Sequence, residues 1–465
     1  MATTRVLNHH IQPSLLWMAV VDGLLFWAAL YAGSYLYSLT GSGELLAHIP
    51  SEAVLFAAVL VLSQFAVGLY EPRMRERVSE VLLRAASSFV LGSLILAIIF
   101  IALFETDLST AAYCLAAAFA FGATLTNRAV FTRLFDHERF KKRVLVYGAG
   151  EAASTISRRM RRRSDRRNFN VVGFVNPGDG PARIHNERII DSQEPLPDFV
   201  RRAQIDQIVV APDDDIPTSS VNRLIECRTR GVDVVELVDF FEREAGKILV
   251  DHVSPSSMAF AEGSRRPGPS RLLKRAFDIV AGSLLLAITW PVMLVTALAI
   301  WLEDGIGSPI LFSQKRVRLG GKSFQLLKFR SMREDAEADG VSRWASKQDS
   351  RVTRVGAVIR RLRIDELPQI FNVLAGQMAF IGPRPERPAF VEQLVAQIPY
   401  YDARHRVKPG LTGWAQLNFP YGASVEDARQ KLQFDLYYVK NHSLLLDLMI
   451  CITTVEVILF GKGVR

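Results

Sequence analysis

The hydrophobic pattern divides the chain into three stretches of different character. In the first third, apolar residues run almost unbroken over Leu15–Tyr37, Ala53–Tyr70, Ala86–Phe104 and Thr110–Leu125. Each run approaches the ~20 residues that a helix needs to cross a bilayer. The middle stretch changes rhythm. Short β-type runs at Arg143–Tyr147, Val171–Val175, Gln207–Pro212 and Val232–Val238 alternate with helical patterns, which predicts an open parallel sheet. After a Ser-, Pro- and Gly-rich linker over 254–271, a fifth apolar run covers Ile279–Leu302, with Pro291 near its centre. Residues 352–364 then carry a helical stripe of Val355, Val358, Ile359 and Leu362. The final apolar run, Leu444–Phe460, is interrupted by Asp447 and Glu456, and fits an interfacial or core helix better than a span.

The expected domains are therefore a four-helix transmembrane domain over 1–135, a Rossmann-like α/β domain over 136–253, and a mostly helical domain over 272–465. Asp22, inside the first run, should face a neighbouring helix, because an unpaired carboxylate in lipid is costly. Arg73, Arg75, Arg77 and Arg84 follow the second run, and Arg128, Arg133, Lys141, Lys142 and Arg143 follow the fourth. The links 41–51 and 105–109 hold no Lys or Arg. Positive loops stay inside, so both ends of the four-helix unit are expected on the cytoplasmic side. The fifth run is flanked by Lys274 and Arg275 on one side and by Lys315, Arg316 and Arg318 on the other. One crossing cannot satisfy two basic flanks, and proline breaks helical hydrogen bonding. A broken, re-entrant hairpin over 276–303 is the expectation, with a true span or a buried soluble helix as alternatives.

Composition supports the membrane reading. Of 465 residues, 49% are hydrophobic although 22% are charged, and the formal net charge is +9. Such basicity suits nucleic acid, an anionic membrane surface or phosphorylated substrates. The three cysteines, Cys114, Cys227 and Cys451, are isolated, so neither a disulfide framework nor a structural zinc site is indicated.

Two motifs carry candidate chemistry. Gly148, Gly150 and Ala153 form GxGxxA after the first β-type run, a dinucleotide fingerprint. Asn176 stands about where a ribose-binding acid belongs, and Asp179 lies further out. Arg158, Arg159, Arg161–Arg163, Arg166 and Arg167 make the first helix and its loop strongly basic. A nucleotide of the NAD type and a purely structural or regulatory role both remain open for this domain. No tyrosine has a lysine four positions later, which argues against epimerase or dehydrogenase chemistry.

The second motif is RRLRIDELPQ, Arg360–Gln369. Asp365 and Glu366 are adjacent, so they cannot form a ladder on one helix face. Acidic residues suit a helix start, and Pro368 suits the first turn of the helix after it. On spacing alone the pair reads as an ordinary solvated helix start. Arginines and a helix N-terminus nearby, both phosphate binders, leave open a carboxylate poised to attack phosphorus or to hold a metal ion.

From about Lys274 onward the chain resembles the bacterial polyprenyl-phosphate glycosyl-1-phosphate transferases, the monotopic phosphoglycosyl transferases. The residues that carry the resemblance are KRAFDIV (274–280), the Pro-broken run, LLKFRSM (326–332), DSRVTRVG (349–356), RIDELPQIFNVLAG (363–376), IGPRPE (381–386), KPGLTGWAQ (408–416) and FDLYYVKNHSLLLD (434–447). The leading helices and the Rossmann-like insert resemble the long branch, the undecaprenyl-phosphate hexose-phosphate transferases. Trp290 stands where a serine often precedes the hairpin proline.

The resemblance implies that Asp365 is a nucleophile that forms a covalent phosphosugar intermediate from a UDP-sugar, with Glu366 beside it. It implies Mg2+, with Glu366 and more weakly Asp435 as ligands. Lys328, Arg330, Arg361 and Arg384 are the candidates for phosphate or nucleotide binding. Gly410 and Gly413 suit a rigid turn or a close approach to ligand. Lys274, Arg275, Asp278 and Pro291 are expected to set the mouth and the break of the hairpin at headgroup level. Implied partners are a UDP-hexose (glucose or galactose), undecaprenyl phosphate, the bacterial inner membrane and a second copy of the chain, but not nucleic acid. The competing readings are a membrane-anchored nucleotide-sugar epimerase or dehydratase and a non-catalytic assembly scaffold.

Overall fold

The computed structural model describes residues 4–6, 9–11, 13–39, 49–70, 78–103, 110–135, 141–160, 165–166, 168–176, 183–184, 188–190, 194–213, 217–253, 268–305, 307–333, 351–419, 422 and 424–460. Most of the expected linker (254–267), the loop arginines 73, 75 and 77, Arg161–Arg163, Arg167, Asp179 and the start of the DSRVTRVG motif lie outside the described residues. The chain divides into two compact units, one running to Gly246 and one from Lys247 to Val457.

The first unit opens with a short antiparallel hairpin, β1 (Thr4–Val6) and β2 (His9–Ile11). Four helices come next: α1 (Pro13–Ser38), α2 (Ile49–Ala66), α3 (Val78–Leu103) and α4 (Thr110–Phe135). They bury Phe26, Leu30, Phe56, Leu60, Phe89 and Leu96 against the small residues Ala116 and Ala120. Leu24, Leu62, Val90, Leu94 and Ile98 point outward. Helices that are apolar on both inner and outer faces belong in lipid rather than water. The segments Trp17–Ser38, Val81–Ile99 and Thr110–Phe131 are long and apolar enough to cross a membrane, whereas Ser51–Ala66 is shorter.

Two arginines that the sequence pattern assigns to loops are buried helix residues instead. Arg128 lies within α4, and its Nη2 meets the fully buried Asp22 carboxylate at 3.3 Å. Tyr70 donates to the same carboxylate at 2.7 Å, as does Asn127 at 2.7 Å. Asp22 thus faces a neighbouring helix as expected, and Arg128 is its counter-ion. Arg84 is buried within α3 and donates to the Val67 carbonyl at 2.8 Å. The positive-inside tally therefore loses two members, because pairing with internal partners takes them out of the loops.

The α/β part comprises β3 (Lys142–Tyr147), α5 (Glu151–Arg159), β4 (Phe169–Val175), β5 (Ile189–Ile190), α6 (Leu196–Arg202), β6 (Gln207–Val210), α7 (Thr218–Thr229), β7 (Asp233–Glu236) and α8 (Leu237–Ala245). Its sheet is wholly parallel in the order β5-β4-β3-β6-β7. Val144, Leu145, Val146 and Ile208 are fully buried, as expected of central parallel strands covered by helices on both faces.

The second unit begins with Lys247–His252, a segment that the sequence pattern groups with the α/β domain. It is bonded instead to a helix near the C-terminus. The Ile248 amide donates to the Gln433 carbonyl at 3.0 Å, and Arg429 pairs with Asp251 at 2.8 Å. The unit continues with α9 (Gly268–Asp304), the hairpin β8 (Leu311–Val317) and β9 (Ser323–Phe329), α10 (Arg354–Arg361), a 3-10 turn at Ile364–Glu366 and α11 (Gln369–Leu374). Then come β10 (Ala379–Ile381), α12 (Pro388–Gln397), a 3-10 turn at Tyr401–Arg406, β11 (Gly410–Thr412), α13 (Trp414–Asn418), α14 (Val425–Asn441) and α15 (Leu444–Phe460). Strands β10 and β11 pair in parallel. A side chain at Gly410 would collide with the Gly382 backbone, which gives the PGLTG segment a structural reason for its glycine.

Helix α9 runs through Pro291 without a gap, although the sequence pattern predicts a break there. The segment Arg271–Asp304 is long and apolar enough to cross a membrane. Both of its ends are nevertheless tied to this same unit. Near the start, Asp278 accepts from the Phe380 amide at 2.9 Å. At the finish, Glu303 accepts from the Arg354 and Val355 amides at 2.8 and 3.0 Å, and Asp304 pairs with Arg330 at 2.6 Å. Between these ties, Leu284, Ile288, Trp290, Leu294, Val295 and Leu298 are exposed. The expected stripe on α10 is also only half buried. Ile359 is in the core and Val355 packs against it, while Val358 and Leu362 are exposed.

Candidate active site

The acid pair sits at a corner between two short helices. Thr353 caps α10 by accepting from the Gly356 amide at 2.9 Å. The helix ends at Arg361, and Arg363 then adopts a left-handed conformation with φ 60°. Few non-glycine residues take this backbone region, and here it turns the chain so that Asp365 faces inward. Pro368 stands at the N-cap of α11, so the expected helix start after the acid pair is observed.

The two carboxylates have different surroundings. Glu366 accepts two bonds from Arg384, at 2.5 and 3.2 Å, and meets Lys328 at 3.4 Å and Arg363 at 3.7 Å. Burial alone would raise its pKa. Arg384 and Lys328 outweigh that and hold it well below the usual carboxylate range. Asp365 is only 8% exposed and accepts no hydrogen bond or ion pair among the described residues. Burial, reinforced by the Glu366 charge, pushes its pKa up, while Lys328, Arg360 and Arg384 pull against this from further away. The corner therefore contains one neutralised carboxylate and one desolvated carboxylate that keeps its lone pairs available.

The fold supplies the cations from separate elements. Lys328 comes from β9, which is stitched to α11 by Asn372. The Asn372 side chain accepts from the Leu327 amide at 3.0 Å and donates to the Gln325 carbonyl at 2.8 Å. Burial pushes the Lys328 ammonium down, with Glu366 opposing. Arg384 comes from the segment after β10. Its backbone carbonyl accepts from Arg404 at 2.9 Å.

Several expected site residues are placed elsewhere. Arg330 is tied to Asp304 at the end of α9. Arg361 is exposed on the last turn of α10, whereas Arg360, one residue earlier, is the arginine whose charge acts on Asp365. One residue is 100° on a helix, which the sequence pattern does not resolve. Asp435 is buried against Arg404 at 2.8 Å. Lys274 bridges Asp278 and Asp447, each at 3.1 Å, and Arg275 donates to the Val373 and Leu374 carbonyls at the end of α11, at 2.7 and 2.6 Å. These three hairpin residues latch α9 to the unit and are not free charges for lipid headgroups. Arg360 and Asn372 lie within the motifs at 360–369 and 363–376, yet spacing does not distinguish them from their neighbours there, and Arg404 lies between motifs. Asn372 and Arg404 find their partners on other elements, so no local signal singles them out.

The residues expected to hold magnesium do not form a cage. Both Glu366 oxygens are engaged by Arg384, and Asp435 faces Arg404. No group of three His, Cys, Asp or Glu side chains converges among the described residues.

The other candidate, the turn between β3 and α5, has the backbone of a dinucleotide fingerprint. Gly148 has φ 141°, and a side chain there would strike the Ala211 carbonyl. Its anion seat is filled by the protein itself. Asp213 accepts from the Glu151 and Ala152 amides at the start of α5, at 2.7 Å each, and its carboxylate occupies the space that a Gly150 side chain would take. A pyrophosphate at this helix start would have to displace Asp213.

Residues 269–461 match the bacterial sugar transferase family, and residues 66–212 match a family described as a CoA-binding domain. The chain is 42% identical over 254 residues, 54% of its length, to a UDP-N-acetylgalactosamine-undecaprenyl-phosphate N-acetylgalactosaminephosphotransferase of Aeromonas hydrophila. It is 35% identical over 336 residues, 70% of its length, to an undecaprenyl-phosphate glucose phosphotransferase of Komagataeibacter xylinus. It spans 58% and 60% of the lengths of these two relatives. Over 190 residues, 40% of its length, it is 45% identical to a UDP-glucose:undecaprenyl-phosphate glucose-1-phosphate transferase of Caulobacter vibrioides, of which it covers 70%. With that coverage, and with the acid-pair corner inside the matched region, the chain belongs to the bacterial sugar transferase family, the polyprenyl-phosphate sugar-phosphate transferases.

Proposed function

We propose that this protein transfers a sugar 1-phosphate from a UDP-sugar to undecaprenyl phosphate by way of a covalent intermediate on Asp365. The observation that carries the reading is the asymmetry of the acid pair: Glu366 is neutralised by Arg384 and Lys328, while Asp365 is buried and unengaged. An Asp365 oxygen attacks the β-phosphorus of the donor. The bond from that phosphorus to the bridging oxygen breaks, and UMP leaves with the electron pair. An oxygen of the lipid phosphate then attacks the same phosphorus, the aspartyl–phosphorus bond breaks, and the carboxylate is regenerated with a polyprenyl diphosphate sugar as product. Splitting one transfer into two steps lets a soluble donor and a lipid acceptor use the site in turn. Lys328, Arg384 and Arg360 surround the place where phosphate charge would collect, and such positioned cations stabilise phosphoryl transfer.

The described residues supply no cage for magnesium, and no step of this scheme runs through one. The donor sugar is a hexose. Two of the relatives are named for glucose and one for N-acetylgalactosamine, so glucose is the first choice in a donor panel that also includes galactose. A kink at Pro291 within the continuous α9, whose two ends are tied to one unit, would let this apolar segment dip into the cytoplasmic leaflet of the bacterial inner membrane and return, with catalysis on the cytoplasmic face.

The test is incubation of the full chain with UDP-sugar and no lipid, followed by intact-mass and peptide analysis. A hexosyl-phosphate adduct on Asp365, discharged by added undecaprenyl phosphate, is expected. A one-step product with no adduct would overturn the scheme. Conversion of the UDP-sugar to another free nucleotide sugar would favour an epimerase.

A further inference from the structure

Asp435, expected as a weak metal ligand, lies instead at the bottom of a relay of contacts that leads to the acid pair. Its carboxylate and the Arg404 guanidinium are 2.8 Å apart, with side chains 2% and 3% exposed. Arg404 donates from Nη1 to the Tyr401 hydroxyl at 2.6 Å and from Nη2, the nitrogen that faces Asp435, to the backbone carbonyl of Arg384 at 2.9 Å. The same short segment is gripped from its other side. Arg316 donates to the Pro385 carbonyl at 3.1 Å, the Val317 amide donates to the Glu386 carbonyl at 2.9 Å, and the Glu386 carboxylate meets Lys431 at 3.0 Å and Arg316 at 3.5 Å. Arg384 then closes on Glu366 through two bonds.

We infer that Asp435 and Arg404 are positioning residues that fix the Arg384 backbone, and through it the Arg384–Glu366 clamp beside the nucleophile, and that Asp435 takes no part in holding a metal ion. A buried ion pair is costly to desolvate and is a weak source of stability. Retaining one here is explained by what its guanidinium does with its spare donors. A planar fork can hold the carboxylate, the hydroxyl and the carbonyl together, whereas lysine has one nitrogen on a flexible stem. Arg404→Lys keeps the charge next to Asp435 and should lose the grip on Arg384. This inference rests on the proposed reaction at Asp365.

The experiment uses the full chain in detergent or nanodiscs and measures single-turnover adduct formation with UDP-glucose. The variants are Arg404→Lys, Asp435→Asn, Arg384→Ala and the double variant R404K/R384A. The paired replacement D435L/R404M, which leaves no buried charge uncompensated, serves as the folding control. Arg404→Lys and Asp435→Asn should slow adduct formation about 10- to 100-fold, the order expected for ~1 Å of misplacement at a reacting centre. Donor affinity should change less than about threefold, because a misplaced clamp acts on the reacting geometry more than on ground-state binding. In the double variant, Arg404→Lys should cost almost nothing beyond Arg384→Ala, because both act through one clamp.

Additive losses would overturn the inference. So would a raised magnesium requirement in Asp435→Asn at unchanged rate, which would make Asp435 a ligand after all. A D435L/R404M variant that folds and keeps the wild-type rate would also overturn it. Absence of any adduct in the unmodified protein with UDP-glucose, UDP-galactose and UDP-N-acetylgalactosamine would instead refute the reaction scheme, so the two failures are distinguishable.

Discussion

Two corners of this protein pair a carboxylate with a short turn and a helix start, and they use the carboxylate in opposite ways. At the turn between β3 and α5, Asp213 fills the anion seat and satisfies two backbone amides. At the turn between α10 and α11, Arg384, Lys328 and Arg363 gather on Glu366, and Asp365 is left buried and unengaged. The first carboxylate closes a site that its motif advertises. The second pair leaves one buried carboxylate without a partner among the described residues, at a place where spacing alone suggests a solvated helix start. A motif therefore reports which chemistry the backbone could support, and the partner of each charged atom decides whether that chemistry is available.

The two corners differ most in what their carboxylates do for the reaction. Asp365→Asn should abolish adduct formation and transfer, a loss of at least about a thousandfold, while Asp213→Asn should leave transfer within about twofold, as expected of a helix cap that takes no part in the proposed reaction. A radiolabel transfer assay on both variants checks this. If the roles were reversed, the proposed division between the two corners would fail.

The next largest effect is expected within the cation cluster. Arg384→Ala leaves Glu366 buried without its main counter-ion and should lower turnover by about 100-fold, within the range seen for loss of one preorganised charge. Arg361→Ala should stay within about threefold, because the structure places Arg361 at the surface, where a charge is well screened. Steady-state kinetics on the pair would show whether it is Arg360 and Arg384, or Arg361, that faces the substrate.

A pH profile sharpens the contrast between the two acids of the pair. Asp365, the proposed nucleophile, must be ionised, and burial with the Glu366 charge raises its pKa, so activity should fall as pH drops through a value above the ordinary Asp level of about 3.9. Glu366→Gln removes the like charge, so any residual activity should show its acid limb at lower pH than the unmodified protein. Stability should respond differently. Glu386 has a folded pKa pulled down to about 2, by Lys431, Arg404 and Arg316 against the effect of burial. A depressed carboxylate contributes stability above its unfolded pKa of about 4.3, and this is lost as pH falls toward the folded value. Thermal unfolding scans between these limits would detect it.

The smallest effect concerns the closed corner. Asp213→Ala removes a helix cap and should destabilise the α/β part by about 1 kcal/mol without changing transfer kinetics. Binding of nicotinamide dinucleotide by Asp213→Ala but not by the unmodified chain would show that Asp213 alone keeps the fingerprint closed.

Much of the architecture is visible in local patterning. Apolar run length predicts the helices of the first unit, and the alternation of β-type and helical segments predicts the parallel sheet, because both signals come from neighbours along the chain. The acid pair and the helix start at Pro368 are visible for the same reason, as are the arginines around them in bulk. Local patterning does not specify which cation meets which carboxylate. Asp22 and Arg128 lie on different helices. Asp435 finds Arg404, Arg330 finds Asp304, and Asp213 reaches back to α5 across 62 residues. A charge in a low-dielectric interior takes whichever opposite charge or amide the packing brings within about 3 Å, and sequence separation has little say in that choice. Sequence alone thus determined the apolar helices of the first unit, the parallel sheet, the family resemblance and the position of the acid pair. Only the tertiary structure decided that Glu366 is neutralised and Asp365 left unengaged, because the arginine and lysine responsible, Arg384 and Lys328, come from two other segments of the chain.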